Sequence, residues 1–187
     1  MALQVQEVSA DYTGMINEAD YQEFLRYDGT DQATILPTLV EGAVRVAEDY
    51  CNATFGLKTF TMQKQTFERN CNIYLPFAPI LSVQSVKLIA QGGTETVLVD
   101  GEGYVLAGLN RKYIVLLTST HNETSILQVE YTAGTQNPAN VNAKVKTAIL
   151  AILSEIFENR MQGIDAPYNK LPLNSKALLG PYRNNIF

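Results

Sequence analysis

The stretch from Asn137 to Arg160, NPANVNAKVKTAILAILSEIFENR, carries the longest helical pattern in the chain and narrows the folds open to it. Val141, Val145, Ala148, Ile149, Ile152 and Ile156 recur at three- and four-residue spacing, with Leu153 and Phe157 widening the stripe. That period lines them along one broad helical face. Asn137 is placed to cap the helix with Pro138 at the first helical position, Asn140 is a slightly later alternative, and Gly163 is a natural stop. A helix this apolar needs cover from another element.

A second helix over about 31–51 can supply it, with Leu36, Leu39, Val40, Ala43, Val44, Ala47 and Tyr50 as its stripe. Pro37 lacks a backbone donor, so the regular helix is expected to begin near Thr34 and hold Pro37 in its first turn. Glu41, Arg45, Glu48 and Asp49 form the wet face. A shorter helix over 18–27, capped by Asn17, turns Tyr21, Phe24 and Leu25 inward and ends at the Asp28-Gly29-Thr30-Asp31 cluster. Residues 1–16 have little periodicity and read as an extended arm or a loosely held lead-in.

Between residues 59 and 132 the period falls from 3.6 to 2. Strands are expected over 59–68, 72–75, 82–89, 96–99, 104–106, 112–117 and 126–131, with Gln91-Gly92-Gly93-Thr94 and Asp100-Gly101-Glu102-Gly103 as turns. Short strands at such spacing make a small antiparallel sheet, barrel or sandwich. The fold class is therefore α+β: a helical unit of two main helices plus short ones, an inserted antiparallel β module and an extended C-terminal tail. The expected divisions are an arm over 1–16, the helical unit over 17–56 and 135–162, the β module over 57–134 and the tail over 163–187. One helical turn, Ser175 to Leu179, is expected in that tail, capped by Asn174 and closed by Gly180-Pro181. Tyr182, Ile186 and Phe187 gain nothing from water, so the last residues either fold back or meet a partner.

A chain of 187 residues with 46% apolar and 18% charged residues can bury a real core. Its formal charge of −5 argues against a broad grip on nucleic acid, which needs clustered Lys and Arg. No secretory signal or membrane-length apolar run is legible, so the chain is expected in the cytosol with Cys51 and Cys71 as reduced thiols. Catalytic patterns are missing. His121 is the single histidine and lies in a turn with no nucleophile elbow nearby. The two cysteines have no neighbouring His to build a zinc site, and Asp28 to Asp31 is too sparse for calcium. Gly92-Gly93 and Gly101-Glu102-Gly103 join strand to strand and present no helix N-terminus to a phosphate. The carboxylate pairs Asp100/Glu102 and Glu155/Glu158 lack the apolar setting that would raise one pKa. No metal, cofactor or enzymatic activity is expected.

Several ordered marks carry a resemblance. Leu25-Arg26-Tyr27-Asp28-Gly29-Thr30-Asp31 closes the early helix, and Val46-Ala47-Glu48-Asp49-Tyr50-Cys51-Asn52 closes the next. Leu75-Pro76, Pro79-Ile80 and Val83-Gln84-Ser85-Val86 open the β module, and Glu130-Tyr131-Thr132-Ala133-Gly134 ends it. Ala148, Glu158-Asn159-Arg160 and Leu178-Leu179-Gly180-Pro181-Tyr182-Arg183 follow in the long helix and the tail. In this order and spacing the chain resembles the head–tail connector (adaptor) proteins of long-tailed double-stranded-DNA bacteriophages, from about residue 18 onward. Residues 1–16 match nothing in that pattern, and Pro37 departs from it.

The resemblance implies a structural virion protein at the head–tail junction, present in the host cytoplasm during assembly, with no membrane partner. It implies a closed ring of about a dozen copies below the portal, with heterologous contacts. DNA passes through such a ring without specific binding, the C-terminal segment docks the portal protein, and the opposite side receives a stopper or tail-completion protein. On that basis Leu178, Leu179, Pro181, Tyr182, Arg183, Ile186 and Phe187 are the expected portal-binding residues. Arg45, Glu48, Glu155 and Arg160, on the outer sides of the two main helices, are the expected ring contacts. Removing residues 164–187 is expected to leave a folded protein unable to dock. Two other classes stand beside this one: a β-sandwich module binding carbohydrate, although the chain has no Trp, and a hydrolase with an unfamiliar site.

Overall fold

The structure, a computed structural model, describes residues 3–27, 34–65, 72–109, 111–117, 125–162 and 171–184, without the side chains of 159–162. It is α+β, and the chain divides into two compact units. Met1–Asp11 and Gly56–Gln136 make a β unit, while Tyr12–Phe55 and Asn137–Phe187 make a helical unit.

Among the described residues the β unit holds eight strands in two antiparallel sheets. Strands β1 (Leu3–Asp11), β2 (Leu57–Gln65), β4 (Ile80–Ile89), β5 (Glu95–Val97) and β8 (Ile126–Gly134) form the larger sheet, ordered β1-β2-β8-β4-β5. Strands β3 (Asn72–Tyr74), β6 (Tyr104–Ala107) and β7 (Tyr113–Leu116) form the smaller one, ordered β3-β7-β6. Alternation along each strand decides what each face carries. Met62, Leu127, Val129, Tyr131 and Val86 from the larger sheet share one buried cluster with Ile73, Ile114 and Leu116 from the smaller. The unit is therefore a two-sheet sandwich. Tyr131 is completely buried, stacks on Phe60 at 5.6 Å and donates its hydroxyl to the Pro76 carbonyl at 3.2 Å. Burial pushes that phenol's pKa well above its ordinary value.

The opposite face of the larger sheet is a layer of amides and hydroxyls that satisfy one another. Gln63 donates to Gln128 at 2.9 Å, Ser85 to Glu130 at 3.0 Å, and Gln84 to Thr132.

Residues 3–11, expected as part of an arm, are an edge strand. β1 pairs with β2 from Leu3↔Lys64 to Asp11↔Leu57, with a bulge between Glu7 and Ser9. The Lys58 ammonium, almost fully buried, meets the Glu7 carboxylate at 2.9 Å and ties the strand down.

In the helical unit, α1 (Glu18–Leu25) begins at Asn17, whose backbone N–H donates to the Asp20 carboxylate at 3.1 Å. It ends two residues earlier than expected because Arg26 takes the left-handed conformation, with φ 50°. The Asp28–Asp31 turn lies outside the described residues. Helix α2 (Leu36–Cys51) holds Pro37 in its first turn, where no helical donor is lost. Helix α3 (Ala143–Gln162) starts later than its apolar pattern. Asn137 caps only a 3-10 turn, Pro138–Asn140, by accepting from the Ala139 N–H. Asn142 takes over for α3, its side-chain oxygen accepting the Lys144 N–H at 2.9 Å. Ala43, Val44 and Ala47 of α2 join Val145, Ala148, Ile149 and Ile152 of α3 in one core, with Met15 and Leu179 brought in from outside the pair.

Candidate functional site

The C-terminal segment is where the expected docking residues fall. Helix α4 (Leu173–Leu179) is anchored in the helical core: Leu179 and Ser175 have no solvent exposure, and the Ser175 hydroxyl donates to the Ala148 carbonyl at 3.2 Å. Burying one leucine stabilises a fold by about 1.5–3 kcal/mol. Leu179 is therefore a core residue and not a docking anchor, which corrects the sequence expectation. Leu178 is half-buried against the same cluster. Removing residues 164–187 would strip Leu179 from the core, so that truncation tests folding as much as docking.

From Gly180 to Asn184 the chain runs along the surface, each residue exposed or half-buried. A 3-10 turn, Gly180–Tyr182, presents Pro181, and the edge of the Tyr182 ring meets Phe55 with centroids 6.3 Å apart. The Arg183 guanidinium stands 5.5 Å above the Tyr50 ring, a cation–π contact, while its side chain stays exposed. Asn184 closes the segment: its backbone N–H donates to the Cys51 carbonyl at 2.7 Å and its side chain to the Asn52 carbonyl at 3.3 Å. From residue 171 to Asn184 the tail thus folds back on the helical unit, with Pro181 and Arg183 exposed and Tyr182 half-buried against the core. Ile186 and Phe187 lie outside the described residues.

Of the expected ring contacts, Arg45 and Glu155 are on the surface. Arg45 bonds Glu41 at 3.0 Å and covers the Tyr12 ring at 5.7 Å. The Arg160 side chain lies outside the described residues. Glu48 is not on the wet face: it is 5% exposed. Its carboxylate accepts the Phe55 N–H at 2.7 Å and the Tyr12 hydroxyl at 3.0 Å. A buried carboxylate needs such donors, and these two draw the side chain under the chain. Sequence reasoning missed this, although a signal was present. Glu48 and Asp49 sit in the last turn of a helix with no base beside them, where the helix dipole disfavours acids.

Cys51 is buried with its thiol 3.7 Å from the Leu179 carbonyl. Burial raises its pKa to about 11, with Arg183 pulling it down and Glu48 pushing it up. His121 and Cys71 lie outside the described residues. Among the described residues no three His, Cys, Asp or Glu side chains gather as metal ligands, and no helix is long and apolar enough to cross a membrane. A hollow of about 60 Å³ on the larger sheet is lined by Gln4, Gln63, Gln65 and Ile126, none of them a nucleophile.

A family model described as head completion protein matches residues 14–159. The chain belongs to the head completion protein family. It is a structural virion protein of the head–tail connector class and not an enzyme. No curated protein sequence matches the chain. Solved structures share the fold. A chain in the virion of a native gene transfer agent particle matches with a TM-score of 0.77 and 20% identity, over 98% of this chain and 97% of that one. Chains in the neck of the empty particle, computed with C6 symmetry, and of the native particle, computed with C12 symmetry, each give 0.75 over the same shares. Their identities are 17% and 18%.

Proposed function

We propose that this chain is one subunit of a closed ring at the head–tail junction, docked to the portal by the segment that follows Leu179. The observation that carries the reading is the division within the tail. Leu179 and Ser175 are locked in the core, whereas Pro181 and Arg183 are exposed and Tyr182 is half-buried beside them. Aromatic residues and Arg are the types that dominate interface energy. Like folds in necks computed with C6 and C12 symmetry support a ring of copies. Arg45 and Glu155, exposed on the two main helices, are proposed ring contacts. A stopper or tail-completion protein would meet the ring on the side away from the portal. DNA would pass through the ring: a subunit of charge −5 repels phosphate, so the duplex slides where a basic lining would hold it.

The test is electron microscopy of the protein mixed with its portal, full-length and lacking residues 180–187. The full chain should form a ring on the portal axis. The truncation, which keeps Leu179, should stay folded and leave the portal bare. A truncated protein that still forms the ring would overturn the docking reading.

A further inference from the structure

We infer that Glu48 is the positioning residue of the C-terminal docking segment; the functional end of this inference rests on the docking reading above. Glu48 acts through the chain beyond α2. That chain reverses at Asn52, which has φ 47°, and the Ala53 N–H returns to the Glu48 carbonyl at 3.2 Å. The Glu48 side chain completes the reversal: Oε1 accepts the Phe55 N–H at 2.7 Å, folding residues 52–55 back over the last helical turn. This end of α2 and its reversal make the contacts on which residues 182–184 rest. Phe55 meets Tyr182, Tyr50 lies under Arg183, and the Cys51 and Asn52 carbonyls receive Asn184. The second carboxylate oxygen takes the Tyr12 hydroxyl at 3.0 Å, just past the residue where the chain leaves β1. One buried side chain therefore fixes the seat of the C-terminal segment and the entry of the N-terminal one.

A carboxylate makes the stronger pair of bonds. It offers two charged acceptor oxygens to two donors, whereas a glutamine is neutral, keeps one oxygen for the Phe55 N–H and meets the Tyr12 hydroxyl only by reversing that bond and donating to it. Glutamine keeps the shape, so Glu48→Gln separates bonding from packing.

Amide exchange read by mass spectrometry on the full chain tests the assignment. In Glu48→Ala, exchange over 180–184 should rise by about tenfold or more, as local opening becomes easier. Glu48→Gln should give a smaller rise of the same sign. Tyr12→Phe should speed exchange around residues 12–15 and leave 180–184 within about twofold of the parent, because it removes only the other arm. Unchanged exchange over 180–184 in a folded Glu48→Ala overturns the proposal; if the alanine variant does not fold, the isosteric Glu48→Gln decides in the same way. Portal binding by Glu48→Gln should weaken as exchange rises. Full binding with raised exchange would overturn the link from seat to docking, while portal binding by the 180–187 deletion would overturn the docking reading alone.

Discussion

The two units reach a closed core by different routes. In the β unit the register does most of the work: β2, β8 and β4 pair along their lengths, and alternation sends Met62, Val129 and Val86 to one side in a row. The helical unit has no such lattice. Its core is collected from separated pieces, Met15 ahead of α1, the stripes of α2 and α3, and Leu179 near the end of the chain. A sheet spreads its cohesion over many equivalent bonds, whereas a helical cluster depends on each piece arriving. The same contrast appears at the surface. The larger sheet turns a self-satisfied polar layer outward, while the helical unit rests its surface tail on Tyr50, Cys51, Asn52 and Phe55.

Three measurements break or sharpen that contrast. The largest effect is expected from Tyr131→Ala, which empties the centre of the sandwich and should cost about 3–5 kcal/mol, as large aromatic truncations in cores do. Denaturant unfolding gives the size, and hydrogen exchange should place the loss in β2, β4 and β8. Leu179→Ala should cost about 2–5 kcal/mol, with exchange rising in α4 and the facing part of α3. A loss below about 0.5 kcal/mol would mean that α4 does not belong to the helical core, since only surface changes are normally that small.

The smallest effect is a pH dependence. The Cys51 thiol ionises at about 11 in the folded chain, above its ordinary value of 9.0. The unfolded chain therefore loses this proton first, and the contribution of Cys51 to stability is full below about pH 9 and declines from there to about pH 11. Unfolding of the parent and of Cys51→Ala at pH 7, 9 and 10.5 checks the sign: the parent should lose more stability between the last two points.

Much of this was legible in the chain itself. The stripes of α2 and α3 and the two-residue period of β2, β4 and β8 are strong because those elements bury a continuous face. β1 was not legible, because an edge strand buries so little. Only Val5 and Glu7 are even half-buried, and Leu3 and Val8 are exposed, so the short alternation Leu3-Gln4-Val5-Gln6 breaks at Glu7-Val8 and is too brief to read as a strand. The start of α3 was misplaced because Pro138 and the apolar spacing continue smoothly across the 3-10 turn, and only the Asn142 cap marks the boundary. Within the tail, composition could not divide Leu179 from Tyr182. That division depends on which side of a single helical turn faces the core.

The position of Leu179 also sets an order of events during synthesis. All the described strands of the β unit have been made once Gly134 is complete, so the sandwich can close while the chain is still growing. The helical core must wait for Leu179, 164 residues after Met15 in the chain, and for the long-range search that joins the two. The surface turn at Pro181 to Arg183 therefore acquires its seat only after both main helices and α4 have been made. A nascent subunit closes its sandwich first and finishes this turn later.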